Sequence, residues 1–496
     1  MSDQHNAKAT GYAGNPDVKT PHLDALAKDG VAFSRAFCNN PVCSPSRISF
    51  NTGQYVHTHG YHGNNNRNGA ESNPNTLAYL LKRNGYETAH IGKSHTVPSW
   101  DKEANDFLRY NGFCDAEVGN PLTNHYFKYL YDKGIADQYE EGIENKNGNF
   151  PEAINGSKPW TLNYEDTVEH FTGEQTLEFL KNRNTEKPFY VFTSFLRPHD
   201  PYTPAKEFFD RYNPDDISLP ETAHDVVDGF PTRPDFIRDR IEKNKANMPE
   251  EWDRFNFAKS GRLKQALASY YALITENDHE IGRIIAYLKE NNLYENTVIV
   301  YTADHGDFAG YHGLMAKGVS IYDAIHNIPM VIRFPDGPRG EENNDLVESV
   351  DVYPTLCALA GVEVPDGVDG KNIYKDKKVS SDKEAAFCEA NGIAAIRTKK
   401  FRMVHHSHLK EHELYDLEKD PGELRNVYQE SEYSEVKVDL LERLQSFTSE
   451  YAKRSSGKTD MLYSKDEKVH ITNLIHKGGK YASDFEKELK ELNKNP

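Results

Sequence analysis

Helical periodicity alternates with short apolar, β-rich runs along most of this chain, and that alternation constrains its fold more than any other feature. Helical spacing covers residues 21–28, 75–84, 167–182 and 267–291. Strand-like runs occupy residues 87–91, 189–195, 297–302 and 328–334. The order predicts an α/β fold with a large, mostly parallel sheet sandwiched by helices. The clearest unit is the helix ending near Asn291, a short turn, and then TVIVYTADHG. Residues 297–302 read as a buried strand, and residues 303–306 lie just past its C-terminal end. In open α/β sheets that edge is where ligands bind.

Later segments differ. Residues 200–262 are rich in Pro, Asp and Arg with poor periodicity, and read as a long excursion over the site edge with some helix of its own. Residues 350–361 predict another helix. Strand candidates then fall at 385–389, 393–397 and 401–405, followed by a turn and a helix near 436–451. This predicts a catalytic unit over residues 1–372 and a small antiparallel sheet with a packed helix within 373–496. The charged last forty or so residues read as a surface helix or frayed tail.

Composition excludes several classes of function. The chain has 496 residues and a formal charge of −18, a poor match to a nucleic-acid binder, which needs a concentrated basic face. No apolar run reaches the ~18–20 residues of a membrane-spanning helix. The five cysteines form no CxxC pair and no disulfide framework, which favours a reducing compartment. As it stands the chain reads as cytoplasmic.

The chemistry gathers in a few motifs. Cys43 stands in CSPSR, followed by Thr52 and Gly53. Pro45 restrains the backbone there, and Arg47 brings a fixed positive charge suited to an anionic transition state. His199, in RPHDP, sits on a proline-flanked turn after a strand and is a general-acid candidate. A lone cysteine or histidine is more often structural than catalytic, so the case rests on the set.

CSPSR followed by TG closely resembles the signature of the formylglycine-dependent sulfatases, in the alkaline phosphatase superfamily. The resemblance extends from Asp3 to about Asn426. It implies that Cys43 is oxidised after translation to formylglycine, whose hydrate attacks sulfur, and hence a formylglycine-generating maturation enzyme as partner. GKSH resembles the family's next motif, which implies that Lys93 binds a sulfate oxygen and that His95 holds the hydrated aldehyde. His199 matches the histidine on the leaving-group side. In TADHGDFAGYHGLMAKG, Asp304 and His305 match metal ligands and Lys317 a sulfate contact; Asp307 and His312 lie near and receive no role.

The implied metal set is Asp3, Gln4, Asp304 and His305, with one oxygen from residue 43. Its oxygen-rich character suggests Ca²⁺, with Mn²⁺ or Mg²⁺ as alternatives. Gln4 replaces the family's usual second aspartate. That change resembles the choline sulfatase and phosphonate monoester hydrolase branch, where Asn64 fits the spacing of an extra pocket asparagine. The resemblance also implies a central strand before Asp3. The expectation is a native start upstream of Met1, with an export signal able to lie there, or another segment in that place.

The leading reading is a metal-dependent sulfatase acting on a carbohydrate sulfate or, second, an aryl or alkyl sulfate. The alternative is a phosphonate monoester or phosphodiester hydrolase using the same aldehyde. A third reading is a non-catalytic anion-binding protein in which Cys43 stays a thiol. The charged tail offers a surface for a homo-oligomer.

Overall fold

The computed structural model describes residues 1–64, 76–95, 107–108, 125–136, 138, 158–225, 227–228, 232–235, 237–238, 262–318, 320–390, 392–406 and 411–455. Helix α1 (Pro21–Lys28) begins with proline at its first turn, where a missing N–H costs nothing. Strand β1 (Val31–Phe33) follows it, then helix α2 (Cys43–Thr52). Helix α3 (Leu77–Arg83) is capped by the Thr76 hydroxyl and leads into β2 (Glu87–Gly92). Beyond the two-residue β3 (Phe107–Leu108) come α4 (Val168–Asn182), capped by Thr167, and β4 (Phe189–Ser194). The long α5 (Leu263–Glu290) precedes β5 (Ile299–Thr302), β6 (Met330–Arg333) and β7 (Glu341–Asn343). Helix α6 (Val352–Leu359) packs near α3 through Tyr353, Cys357, Leu77 and Leu81.

These strands form two hydrogen-bonded groups, β3-β2-β4 and β5-β6-β1-β7. Ser2 joins them, bridging in parallel to Phe195 on one side and Ala303 on the other. The first three residues therefore lie mid-sheet, where the resemblance implied a central strand. Strands β2, β3 and β4 are mutually parallel, with Glu87 opposite Phe189 and Gly92 opposite Ser194. The departure from parallel order is β6, antiparallel to both β5 and β1. A parallel return needs a crossover along the sheet face. The chain between β5 and β6 instead loops at the strand ends, where it carries Asp304, His305 and Lys317, and comes straight back.

Behind Ser2, β4 and β5 flank a cavity of about 890 Å³, lined by Met1, Val191, Thr193, Leu288, Val300 and Thr302 among others. The Met1 amino group is buried at its end, donating to the Thr193 carbonyl at 2.8 Å, and burial pulls it down to about 5.

A second sheet, wholly antiparallel, comprises β8 (Ala385–Ala390), β9 (Ile393–Thr398), β10 (Phe401–His406) and β11 (Glu413–Asp416). Helix α7 (Ser434–Ser455) covers it, placing Leu440, Leu441 and Leu444 against Ile396, Met403 and Leu414. The expected helices and all seven expected strands are present within a few residues. Strands β1 and β7, three residues each, are too short to show a period, and β11 lies inside the segment read as leading to a turn. Of the 200–262 excursion, a short helix at Lys206–Phe209 and two 3₁₀ turns are described; residues 239–261 and the tail from 456 lie outside the described residues.

Joining an extended, alternately apolar segment of about six residues to Met1 is expected to add a strand between β4 and β5. Differential scanning calorimetry should show a melting temperature raised by several degrees, whereas a Gly/Ser extension of equal length should leave it unchanged.

Candidate active site

Four parallel elements deliver their next residues to one edge. Asp3 follows Ser2, Lys93 and His95 follow β2, His199 follows β4, and Asp304 and His305 follow β5. Strand ends in a parallel sheet point the same way, so residues about 300 apart in sequence converge.

Helix α2 brings the cysteine. Cys43 is its first residue, Pro45 sits in the first turn where proline is tolerated, and left-handed Gly53 ends the helix. The Ser44 amide, one of the free donors of that helix end, is taken by the Asn64 side chain at 3.0 Å. Asn64 is thus beside residue 43; its neighbours Asn65 and Asn66 lie outside the described residues. Helix α2 was not legible as a helix. Its Ser, Asn and Thr content has low propensity, and it is buried on nearly every side, so no amphipathic period marks it.

Arg47 sits one turn along α2, fully buried. Its Nε donates to Asp304 Oδ2 at 2.8 Å and its Nη2 to Asp3 Oδ2 at 2.9 Å. Its Nη1 donates to the Lys93 carbonyl at 2.9 Å and to Ser194 Oγ at 2.8 Å. Lys93 Nζ makes a second contact with Asp3 Oδ2 at 2.6 Å. Burial and the neighbouring Cys43 push Asp3 up, but Lys93, His199 and Arg47 outweigh them and hold it well below the usual carboxylate range. In this structure, therefore, Arg47 meets the two carboxylates.

Cys43 Sγ lies at the centre, 3.1 Å from His305 Nε2 and 3.3 Å from Lys317 Nζ. Burial raises the thiol, yet Lys317, Lys93 and His305 bring it well below its ordinary value. The His305 Nδ1 faces the Gly306 carbonyl at 2.9 Å, which assigns its proton there and turns Nε2 inward. His199 Nδ1 likewise faces the Asp200 carbonyl at 2.7 Å, and its Nε2 lies 3.1 Å from Lys317 Nζ. His95 is buried with a left-handed φ of 51°, and its Nδ1 has no partner among the described residues.

Asp3, Cys43, Asp304 and His305 offer donor atoms all within 4.8 Å of one another, and all four are buried. Two buried carboxylates beside an imidazole are a donor set that suits a divalent cation. Gln4 is adjacent, but its amide oxygen accepts from Lys317 Nζ at 2.6 Å rather than facing that cluster alone. Its amide nitrogen donates to Asp307 Oδ2 at 2.6 Å.

Asp307, which received no role from the sequence, organises this side. Its Oδ1 accepts from the Ala309 and Ala316 amides at 2.7 and 2.9 Å, and its Oδ2 from Gln4 and from the Tyr202 hydroxyl at 2.8 Å. The loop that carries Lys317 is tied down at its base by this one carboxylate. Only its occurrence in the same DHGD turn could have pointed to it. His312 faces away, onto Asp225 and Arg233 at 2.9 and 3.0 Å.

A mixed, mostly parallel sheet with this constellation at its strand ends is the alkaline phosphatase-like class of fold. Sequence comparison agrees. The family model described as Sulfatase matches residues 1–362, and that of the N-sulphoglucosamine sulphohydrolase C-terminal region matches residues 310–450. An arylsulfatase of Clostridium perfringens is 30% identical over 487 residues, 93% of this chain and 95% of that protein. An N-acetylglucosamine-6-O-sulfatase of Bacteroides thetaiotaomicron is 25% identical, across 95% and 89% of the two chains. The phosphonate monoester hydrolase of Agrobacterium radiobacter superposes with a TM-score of 0.75 at 24% identity, covering 91% of this chain and 95% of that one, a likeness of fold. The chain belongs to the sulfatase family, and its relatives named as arylsulfatase and sulfatase mark it as a sulfuric ester hydrolase.

Replacing Arg47 by Met should cost about 3–5 kcal/mol, because Asp3 and Asp304 would stay buried without their shared partner. Urea denaturation measures this; an unchanged midpoint would show that the two carboxylates do not depend on Arg47.

Proposed function

We propose that this protein hydrolyses sulfate monoesters of carbohydrates or aryl alcohols, through a hydrated formylglycine made from Cys43 by a maturation enzyme. The observation that carries this reading is the setting of Cys43: first residue of a helix, 1% exposed, within hydrogen-bond distance of Lys317 and His305. A structural cysteine needs no such ring of cations. The relatives named as arylsulfatase and as N-acetylglucosamine-6-O-sulfatase support the two substrate classes.

In this reading Asp3, Asp304 and His305 would hold a divalent cation, Ca²⁺ by the hardness of the two carboxylates or Mn²⁺ by the imidazole, with Gln4 and residue 43 beside it. When bound, the cation lowers the cost of charge on the sulfate oxygens. Lys93 and Lys317 supply fixed positive charge on the same oxygens in a site that excludes water. Arg47 holds Asp3 and Asp304 in place. One hydroxyl of the hydrate at residue 43, ionised beside Lys317 with its proton released to solvent, attacks sulfur as the bond to the leaving oxygen breaks. His199, when its ring carries a proton on Nε2 as well as the one Nδ1 directs to the Asp200 carbonyl, gives the Nε2 proton to the leaving oxygen. His95 then takes the proton of the second hydroxyl, so that the carbonyl re-forms and sulfate departs without water attacking sulfur. Phosphonate monoester hydrolysis by the same steps is the second reading, and it rests on Gln4 in place of an aspartate, hydrogen-bonded to Lys317.

Protein from a host able to modify cysteine should carry an aldehyde at residue 43 by peptide mass spectrometry. Cys43→Ala should then lose at least about 10⁴-fold in kcat/KM on nitrophenyl sulfate. Faster turnover of the matched phenylphosphonate ester would move the assignment to the second reading. An unmodified thiol with retained sulfate binding would move it to anion binding. Chelation followed by Ca²⁺ or Mn²⁺ add-back, with metal content read by mass spectrometry, tests the cation. Asp304→Asn should lose the bound ion while keeping the fold by circular dichroism.

His199→Ala should slow sulfate esters of poor leaving groups by about 10²–10⁴-fold and nitrophenyl sulfate far less, since nitrophenolate leaves without a proton. Equal losses on both would remove His199 from the leaving-group side.

A further inference from the structure

His199 stands on an unusual support. The turn from 197 to 201 contains Pro198 and Pro201, neither of which has an N–H, so the turn has few donors with which to fix its own carbonyls. Besides the Thr203 amide, which reaches the Pro201 carbonyl at 2.9 Å, the donors come from one side chain. Arg197 Nη1 donates to the His199 carbonyl at 2.9 Å and to the Pro201 carbonyl at 2.7 Å. The residue is 2% exposed, and its guanidinium lies over the Trp160 ring, 4.9 Å from the centroid. Its own backbone is anchored as well. The Arg197 amide donates to Glu169 Oε1 at 3.2 Å, and its carbonyl accepts from Asn277 Nδ2 at 2.5 Å.

These contacts form a chain of support from the helices behind the sheet to the imidazole in front. Helix α4 supplies Glu169 and helix α5 supplies Asn277. Arg197 passes their rigidity to the main chain on both sides of residue 200. The Asp200 carbonyl in turn faces His199 Nδ1 and sets the ring so that Nε2 points to Lys317. A buried guanidinium is costly to desolvate, and a surface histidine on a free turn would not require one. His199 itself is about one quarter exposed, so packing alone does not hold its ring.

We propose that Arg197 is a positioning residue for His199, holding its carbonyl and that of Pro201 so that the imidazole stays aimed at the leaving-group oxygen. The proposal rests on the sulfatase reading, and it goes beyond it in assigning the support of the acid to a residue that touches neither sulfate nor cation.

The test uses Arg197→Met, which keeps the stem against Trp160 and removes the donors, and Arg197→Lys, which restores one. With alkyl or sugar sulfates, Arg197→Met should lower kcat/KM by about 100-fold, approaching the loss from His199→Ala; with nitrophenyl sulfate it should lower it by no more than about threefold. Arg197→Lys should recover part of the loss. In a His199→Ala background Arg197→Met should add nothing, because its effect passes through the missing imidazole. A uniform loss on both substrate types, or losses that multiply in the double variant, would overturn the proposal. If Arg197→Met does not fold, the same comparison is read on Arg197→Lys. A crystal structure of the folded variant gives a readout free of activity: the 3.1 Å approach of His199 Nε2 to Lys317 should be lost, and an unmoved ring would overturn the proposal. A wild type that turns over no sulfate ester would defeat the sulfatase reading, and the crystallographic comparison would then decide alone.

Discussion

One buried guanidinium holds the site together. Arg47 binds a carboxylate from each of two chain segments 301 residues apart in number, Asp3 and Asp304, while its Nη1 closes on the Lys93 carbonyl and Ser194 Oγ. Helix α2, the ends of β2, β4 and β5, and the first residues of the chain are thereby fastened at one point. A lysine could not replace it, because a single ammonium lacks the planar fork that meets several acceptors in fixed directions. The same bond sets the electrostatics. With Asp3 and Asp304 each engaged through Oδ2, their Oδ1 atoms are left on the side of Cys43 and Gln4. Asp3, held well below the usual carboxylate range by Lys93, His199 and Arg47, keeps its charge in a buried place.

A second fastening works on the opposite side of the thiol. Asp307 collects four donors and in doing so fixes Gln4 and the loop before Lys317. Lys317 then reaches Cys43, Gln4 and His199 together. Arg47 and Asp307 are thus complementary: a buried cation orders the anions, and a buried anion orders the cation. Arg47 is paired with carboxylates, and Asp307 is satisfied by four neutral hydrogen-bond donors, so neither buried group lacks partners.

The sequence revealed most of the candidate site because the chemistry is carried by short motifs at strand ends. Cys43, Arg47, Lys93, His199, Asp304, His305 and Lys317 each lie in a compact run beside a legible strand or a proline turn, and the structure brings them to one edge. What stayed hidden depends on distance in sequence. Asp307 looks like an ordinary turn residue until Ala316, Tyr202 and Gln4 fold onto it. Arg197 looks like a surface arginine until Trp160 covers it. The fold followed the same rule. Long amphipathic helices such as α4 and α5 announce themselves. Helix α2, buried all round and built of poor helix formers, is held by tertiary contacts that no local pattern records. The reversed direction of β6 also escaped periodicity, which reads strands but not their pairing.

The distance between partners has a consequence for the order of events in the cell. Cys43 and His305 are 262 residues apart, and at about 5–20 residues per second the ribosome needs roughly 13–50 seconds to make the chain between them. Through that interval the thiol has neither His305 nor Lys317 to enclose it, whereas in the finished fold it is 1% exposed. The sulfur is therefore far more accessible during synthesis and in the unfolded chain than in the finished fold. The closing of β5 against Ser2 then encloses the sulfur, so the order in which the strands assemble sets how long it stays open.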